Sequence, residues 1–152
     1  MLSAEPKIAV KLIGPQIMRD ASSTPLWLVR TLGKARSAGS LAVLDRVWAA
    51  GTMSARLEVL TAWGQYPEAA VRDRLLAAVA VTDPVIRERA ALAAAMAGIR
   101  EVVPFLTRAL KSQEIPMASA IEGLGRLQDR QVETFLISHF RAASSNMRER
   151  IA

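Results

Sequence analysis

The chain carries a recurrence that few folds can accommodate. A small residue follows a large apolar one at Leu32-Gly33, Trp63-Gly64, Met96-Ala97 and Leu124-Gly125, in steps of 31, 33 and 28 residues. Self-similarity on a period of about 20–50 residues marks a chain built from stacked supersecondary units. The Gly or Ala in each pair lets two helix backbones approach closely.

Between these pairs the apolar residues keep helical spacing. Leu26, Val29 and Leu32 form one stripe, and Leu41, Leu44, Val47 and Trp48 form the next. Leu57, Leu60 and Trp63, then Val71, Leu75 and Val79, continue the pattern. Val132, Phe135, Leu136 and Phe140 close it. Spacings of three and four residues predict amphipathic helices, and no alternation of β-branched residues predicts a strand.

Breakers fall in phase with the stripes. Thr24-Pro25 predicts a helix start with Thr as cap and Pro at the first helical position. Asp83-Pro84 is a second such start. Turns are expected at 37–40, Gly51-Thr52, Tyr66-Pro67, 113–116 and 144–146, and Gly98 ends an Ala-rich helix over 85–98. A helix over 6–19 is interrupted at Gly14-Pro15.

The resulting fold class is all-α. Antiparallel helix pairs occupy about 23–51, 52–82, 83–112 and 114–143, with half-units at 6–19 and 146–152, so that 1–152 is one repeat domain. No such pair buries its apolar face alone, so neighbours must stack. Met147 to Ala152 matches Ile86 to Ala91, and Ile8 to Arg19 reads as a second helix without its first. The ends therefore predict a piece of a longer solenoid or multidomain protein.

Composition narrows the chemistry. The chain is 51% hydrophobic but only 5% aromatic, which suits helices packed through small side chains. With no Cys, disulfides and thiolate sites are excluded; this fits a reducing compartment, and a cytoplasmic location is expected. His139 is the one histidine, so sites needing several imidazoles are excluded, and its alignment with Val47 and Ala109 predicts a structural role. No apolar run reaches the roughly 18–20 residues of a membrane span. The start lacks the basic-then-apolar order of a signal peptide. The chain is expected to be soluble.

Nucleophile, metal and phosphate-loop motifs are absent from the sequence, and Gly123-x-Gly125 lies within an expected helix, where close packing explains it. No catalytic, cofactor-binding or metal-binding residue is assigned, and the expectation is a protein that is not an enzyme. Asp45, Asp73 and Glu133 are the candidate carboxylates on second helices, and no aromatic cage is placed beside them. Trp48 and Trp63 are expected in the core, and Trp27 off the stripe. Glu68–Arg72 and Glu122–Arg126 have the spacing of i,i+4 ion pairs. The net charge is +6, with 16 Arg and 4 Lys scattered rather than clustered. Such a balance favours an acidic partner.

The stretch Asp83-Pro84-Val85-Ile86-Arg87-Glu88-Arg89-Ala90-Ala91-Leu92-Ala93 resembles the HEAT-repeat consensus of Asp-Pro, an apolar position, an Arg and an Ala-rich run. Ala120-Ile121-Glu122-Gly123-Leu124-Gly125 resembles another part of that repeat, and Val102 to Leu110 its second helix. The short HEAT-like repeats of the phycobilin-lyase type are the most similar. The resemblance covers about 23–143, is best at 83–127 and departs at 54–81.

It implies a right-handed α-solenoid whose second helices line the concave face. On those helices Arg46 and Arg108 share a repeat position, as do Lys111 and Arg141, while Arg72 and Arg74 lie between them. Ala77 and Ser138 interrupt the stripe. These six basic residues are the candidate partner-binding set. The leading expectation is a scaffold that binds a protein. The alternatives are nucleic-acid binding along the basic stripe, and a lyase or glycosylase of the HEAT-like class.

Overall fold

In the computed structural model three helices start at short polar side chains, Ser37, Thr52 and Asp83, and three others follow a proline, Pro25, Pro67 and Pro116. The structure describes residues 14, 15, 17, 19–112, 116–127, 132–135, 137, 138 and 141. The expected half-unit 146–152 and His139 lie outside them, as does most of 6–19. The α-helices are α1 (Leu26–Ala35), α2 (Ala38–Ala50), α3 (Met53–Trp63), α4 (Glu68–Val79), α5 (Pro84–Met96), α6 (Val103–Ser112) and α7 (Met117–Arg126). A 3-10 turn, Arg100–Val102, precedes α6. Helical backbone also occurs at 14, 15, 17 and 19, and at 132–135, 137, 138 and 141. The described residues contain no strand, and the fold is all-α.

Asp83 caps α5 as its sequence predicts. Its Oδ1 accepts hydrogen bonds from the backbone N–H groups of Val85 (2.9 Å) and Ile86 (3.0 Å). Thr52 caps α3 through Ala55 N–H at 3.3 Å. At the far end of α5, Gly98 takes φ +85°. Ile99 N–H then reaches Ala94 O and Gly98 N–H reaches Ala95 O, which satisfies two carbonyls of the last turn.

Two expected boundaries differ. Thr24 does not cap α1: it is buried, and its hydroxyl donates back to Ala21 O at 2.9 Å. Pro25 stands before the helix, and its carbonyl accepts from Leu28 N–H. The segment 37–40 is not a turn but the start of α2. Ser37 Oγ accepts from Ser40 N–H at 3.1 Å. The whole link from α1 to α2 is Arg36 and Ser37, made possible by Arg36 in the left-handed region at φ 46°.

The odd-numbered helices pack in succession, α1 on α3, α3 on α5 and α5 on α7. Of the even-numbered ones, α2 packs on α1 and α3, α4 on α5, and α6 on α7. A Cβ at Gly33 would sit 2.8 Å from Ala62 Cβ, so α1 and α3 touch nearly backbone to backbone. A Cβ at Gly64 would sit 3.0 Å from Ala93 O and 3.1 Å from Ala93 Cα, which repeats the device one step on. The device then changes. Met96 is exposed, and Gly125 has no neighbour within 4 Å of a built Cβ. Gly123 takes the close contact instead, 3.0 Å from Leu106 Cδ1. Helix α5 packs against α3, α4 and α7, and its Ala90, Ala91, Ala93, Ala94 and Ala95 are all buried. Methyl side chains allow one helix to accept that many neighbours.

Polar links join residues 28 to 34 apart in the chain. Arg30 makes a two-bond pair with Glu58, 28 residues on. Arg74 does so with Asp45 across 29 residues. Ser119 donates to Glu88 across 31, and the Tyr66 hydroxyl donates to Leu32 O across 34.

Candidate functional site

Among the described residues, two grooves of similar volume lie beside the even-numbered helices. The first, about 410 Å³, is lined by Asp45 and Trp48 of α2, Trp63 of α3, Arg74, Ala77 and Ala78 of α4, and Val81. The second, about 420 Å³, lies between α4 and α6, with Leu76, Val79, Val81, Arg87, Phe105 and Arg108 on its walls.

Four lining residues of the first groove have counterparts in the second. An offset of 31, the spacing of Leu32 and Trp63, carries Asp45 onto Leu76, Trp48 onto Val79, Arg74 onto Phe105 and Ala77 onto Arg108. The frame is the same and the chemistry is not. In the first groove Arg74 Nε and Nη2 each lie 2.7 Å from an Asp45 oxygen, which raises the Arg74 pKa and leaves the walls with balanced charge. In the same groove the ring centroids of Trp48 and Trp63 lie 5.3 Å apart, with the planes tilted by 49°. The Trp63 indole N–H is buried without a hydrogen-bond partner.

In the second groove the ion pair is replaced by Leu76 and Phe105. The Arg87 and Arg108 guanidinium carbons lie 5.5 and 5.8 Å from the Phe105 ring centroid, both within cation–π range. A like contact puts Lys111 Nζ 5.4 Å from the Phe135 centroid.

The six basic residues singled out from sequence are thereby divided. Arg46, Arg108, Lys111 and Arg141 are exposed. Arg74 and Arg108 line the first and second grooves. Arg72 pairs with Glu101 of the 3-10 turn rather than with Glu68, whereas Arg126 pairs with Glu122 as its spacing predicts. Phe105, Leu76 and Arg87 were not singled out from sequence. Only the 31-residue offset, applied to the lining of the first groove, points to the first two.

Of the three carboxylates, Asp45 is engaged by Arg74, and Asp73 and Glu133 are exposed. Trp63 is buried, Trp48 partly so, and Trp27 is 59% exposed. Among the described residues no group of three acidic or histidine side chains is placed to hold a metal, and no helix is long and apolar enough to cross a membrane. Compared with known proteins, the chain matches no family model, no curated protein and no solved structure.

Proposed function

We propose that this chain is a non-catalytic interaction module. In this reading its helix pairs stack as a right-handed HEAT-like solenoid, and the face formed by second helices binds another protein. The observation that carries the reading is the pair of equivalent grooves, one frame repeated with altered lining. Stacked repeats offer extended surfaces of this kind, on which each step is varied independently. The exposed Arg46, Arg108, Lys111 and Arg141 would steer an acidic partner towards that face.

Site-specific photocrosslinking tests this. A photoreactive residue is placed at Ala77 or Arg108 on the second-helix face, and at exposed Arg89 on α5 as the control. A discrete protein adduct formed from the first two positions and not from the third supports the reading. Equal adducts from all three, or none from the second-helix positions, rejects it.

Nucleic-acid binding is the second reading, favoured by the net charge of +6. Arg72 and Arg74 each already face a carboxylate, which leaves fewer cations for phosphate. This reading requires duplex or single-strand affinity that falls steeply with salt and weakens in Arg46→Ala plus Arg108→Ala. Anisotropy of a labelled DNA duplex and an RNA strand at two salt concentrations decides it.

A further inference from the structure

We infer that the groove between α4 and α6 is the specific contact point, and that its occupant is a partner segment in which acidic and large apolar side chains alternate. The inference rests on the reading of the second-helix face as a protein-binding surface.

At the first groove, Arg74 and Asp45 complete each other, so an incoming carboxylate would compete with one already bound bidentately. At the second, the equivalent positions hold Leu76 and Phe105, both partly buried, which form an apolar wall. Ala77 of the first groove becomes Arg108 in the second, and that guanidinium is exposed beside the Phe105 ring. Arg87 reaches the same ring from α5. The residues lining this groove include two arginines and no carboxylate.

An aromatic platform holding a guanidinium in place cuts the entropy lost when a carboxylate binds it. Leu76, Val79 and Val81 beside it reward an apolar side chain next to that carboxylate. Both demands are met by an extended segment lying along the groove, whose successive side chains point to opposite sides, the apolar ones towards Leu76 and Val79 of α4 and the acidic ones towards Arg108 of α6. Phosphate alone would satisfy the arginine and leave the apolar wall bare.

The test uses the whole chain and four fluorescein-labelled probes: ten-residue peptides alternating Leu with Glu, Leu with Gln and Ser with Glu, and a ten-nucleotide DNA strand. Anisotropy is read at near-physiological salt. The inference expects the Leu/Glu peptide to bind at least about tenfold tighter than the other three, as charge-assisted contacts do over neutral ones. Arg108→Glu, at an exposed position, is expected to weaken that peptide by about tenfold or more, and circular dichroism checks that the helices persist. Leu76→Gln is expected to weaken the Leu/Glu peptide but not the residual Ser/Glu signal.

Equal binding of the Leu/Glu and Ser/Glu peptides overturns the apolar half of the inference. Preference for DNA, lost in Arg108→Glu, assigns the groove to nucleic acid and overturns it entirely. Leu/Glu binding that survives Arg108→Glu but is lost in Arg46→Glu overturns the groove assignment while the second-helix reading stands. Binding to no probe also overturns the inference, and the photocrosslinks from Ala77 then decide separately whether the face binds protein at all.

Discussion

A methyl group added at Gly33 would land 2.8 Å from the Cβ of Ala62 and 2.9 Å from its Cα. Neither atom belongs to a flexible side chain, so α1 and α3 must separate. Gly33→Ala is expected to cost about 1–3 kcal/mol by chemical denaturation, as overpacking does. Gly125→Ala meets nothing within 4 Å and gains helix propensity, so it is expected to stabilise by up to about 1 kcal/mol. A shared sign for the two would refute this account. Both glycines follow a leucine and look alike in sequence. Which one faces a neighbour depends on how each helix is rotated about its axis, and a two-residue motif does not encode that. Tyr66 is a clearer case of long-range dependence. Its buried phenol donates to Leu32 O at 3.0 Å, and burial first, then the Asp45 charge, raises its pKa above the ordinary value. The neutral form is the one the fold keeps. Its contribution is therefore complete below the unfolded pKa of about 10 and is lost as pH rises through the raised folded value. Tyr66→Phe should lower stability by about 1 kcal/mol at neutral pH and flatten the alkaline limb of a urea-midpoint profile.

Helix boundaries were legible where a side chain caps in only one sense. Asp83 ahead of Pro84 permits little but a helix start, and both of its bonds go to the first turn of α5. Asp83→Ala is expected to cost about 1 kcal/mol, measured as a drop in denaturation midpoint. A change within error would mean that packing of the buried alanines fixes α5 without its cap. Serine is ambiguous, because the hydroxyl that caps a helix also closes a turn. That ambiguity hid the start of α2, and no sequence signal marks Arg36 as the residue with positive φ. The even-numbered helices were recognisable as amphipathic elements, but the grooves beside them were not. A groove depends on how far apart two helices stand, and the periodicity of apolar residues along one helix does not encode that distance.

Across the whole molecule, the polar contacts that matter join residues far apart in the chain. The i,i+4 rules applied to the sequence found Glu122–Arg126 and missed Arg30–Glu58, Asp45–Arg74 and Arg72–Glu101. Two members of the basic stripe, Arg72 and Arg74, each face a carboxylate of another element, a pairing that sequence spacing does not encode. The Arg30–Glu58 pair gives the molecule an acid limb. Its hydrogen bond with Arg30 outweighs desolvation and lowers the Glu58 pKa. A lowered carboxylate pKa contributes stability above the unfolded value of about 4.3, and that contribution is lost as pH falls through the folded value. Glu58→Gln should weaken the chain at neutral pH and show a shallower midpoint loss between about pH 5 and pH 3. A parallel profile would show that other carboxylates carry the acid response. The links Arg30–Glu58, Asp45–Arg74, Glu88–Ser119 and Leu32–Tyr66 span only 28 to 34 residues each. None of them ties one end of the described chain to the other. Tension applied at the two ends would thus pass through these links in series, each loaded in turn. The molecule should extend under force as a train of small compliant steps rather than fail at a single clamp.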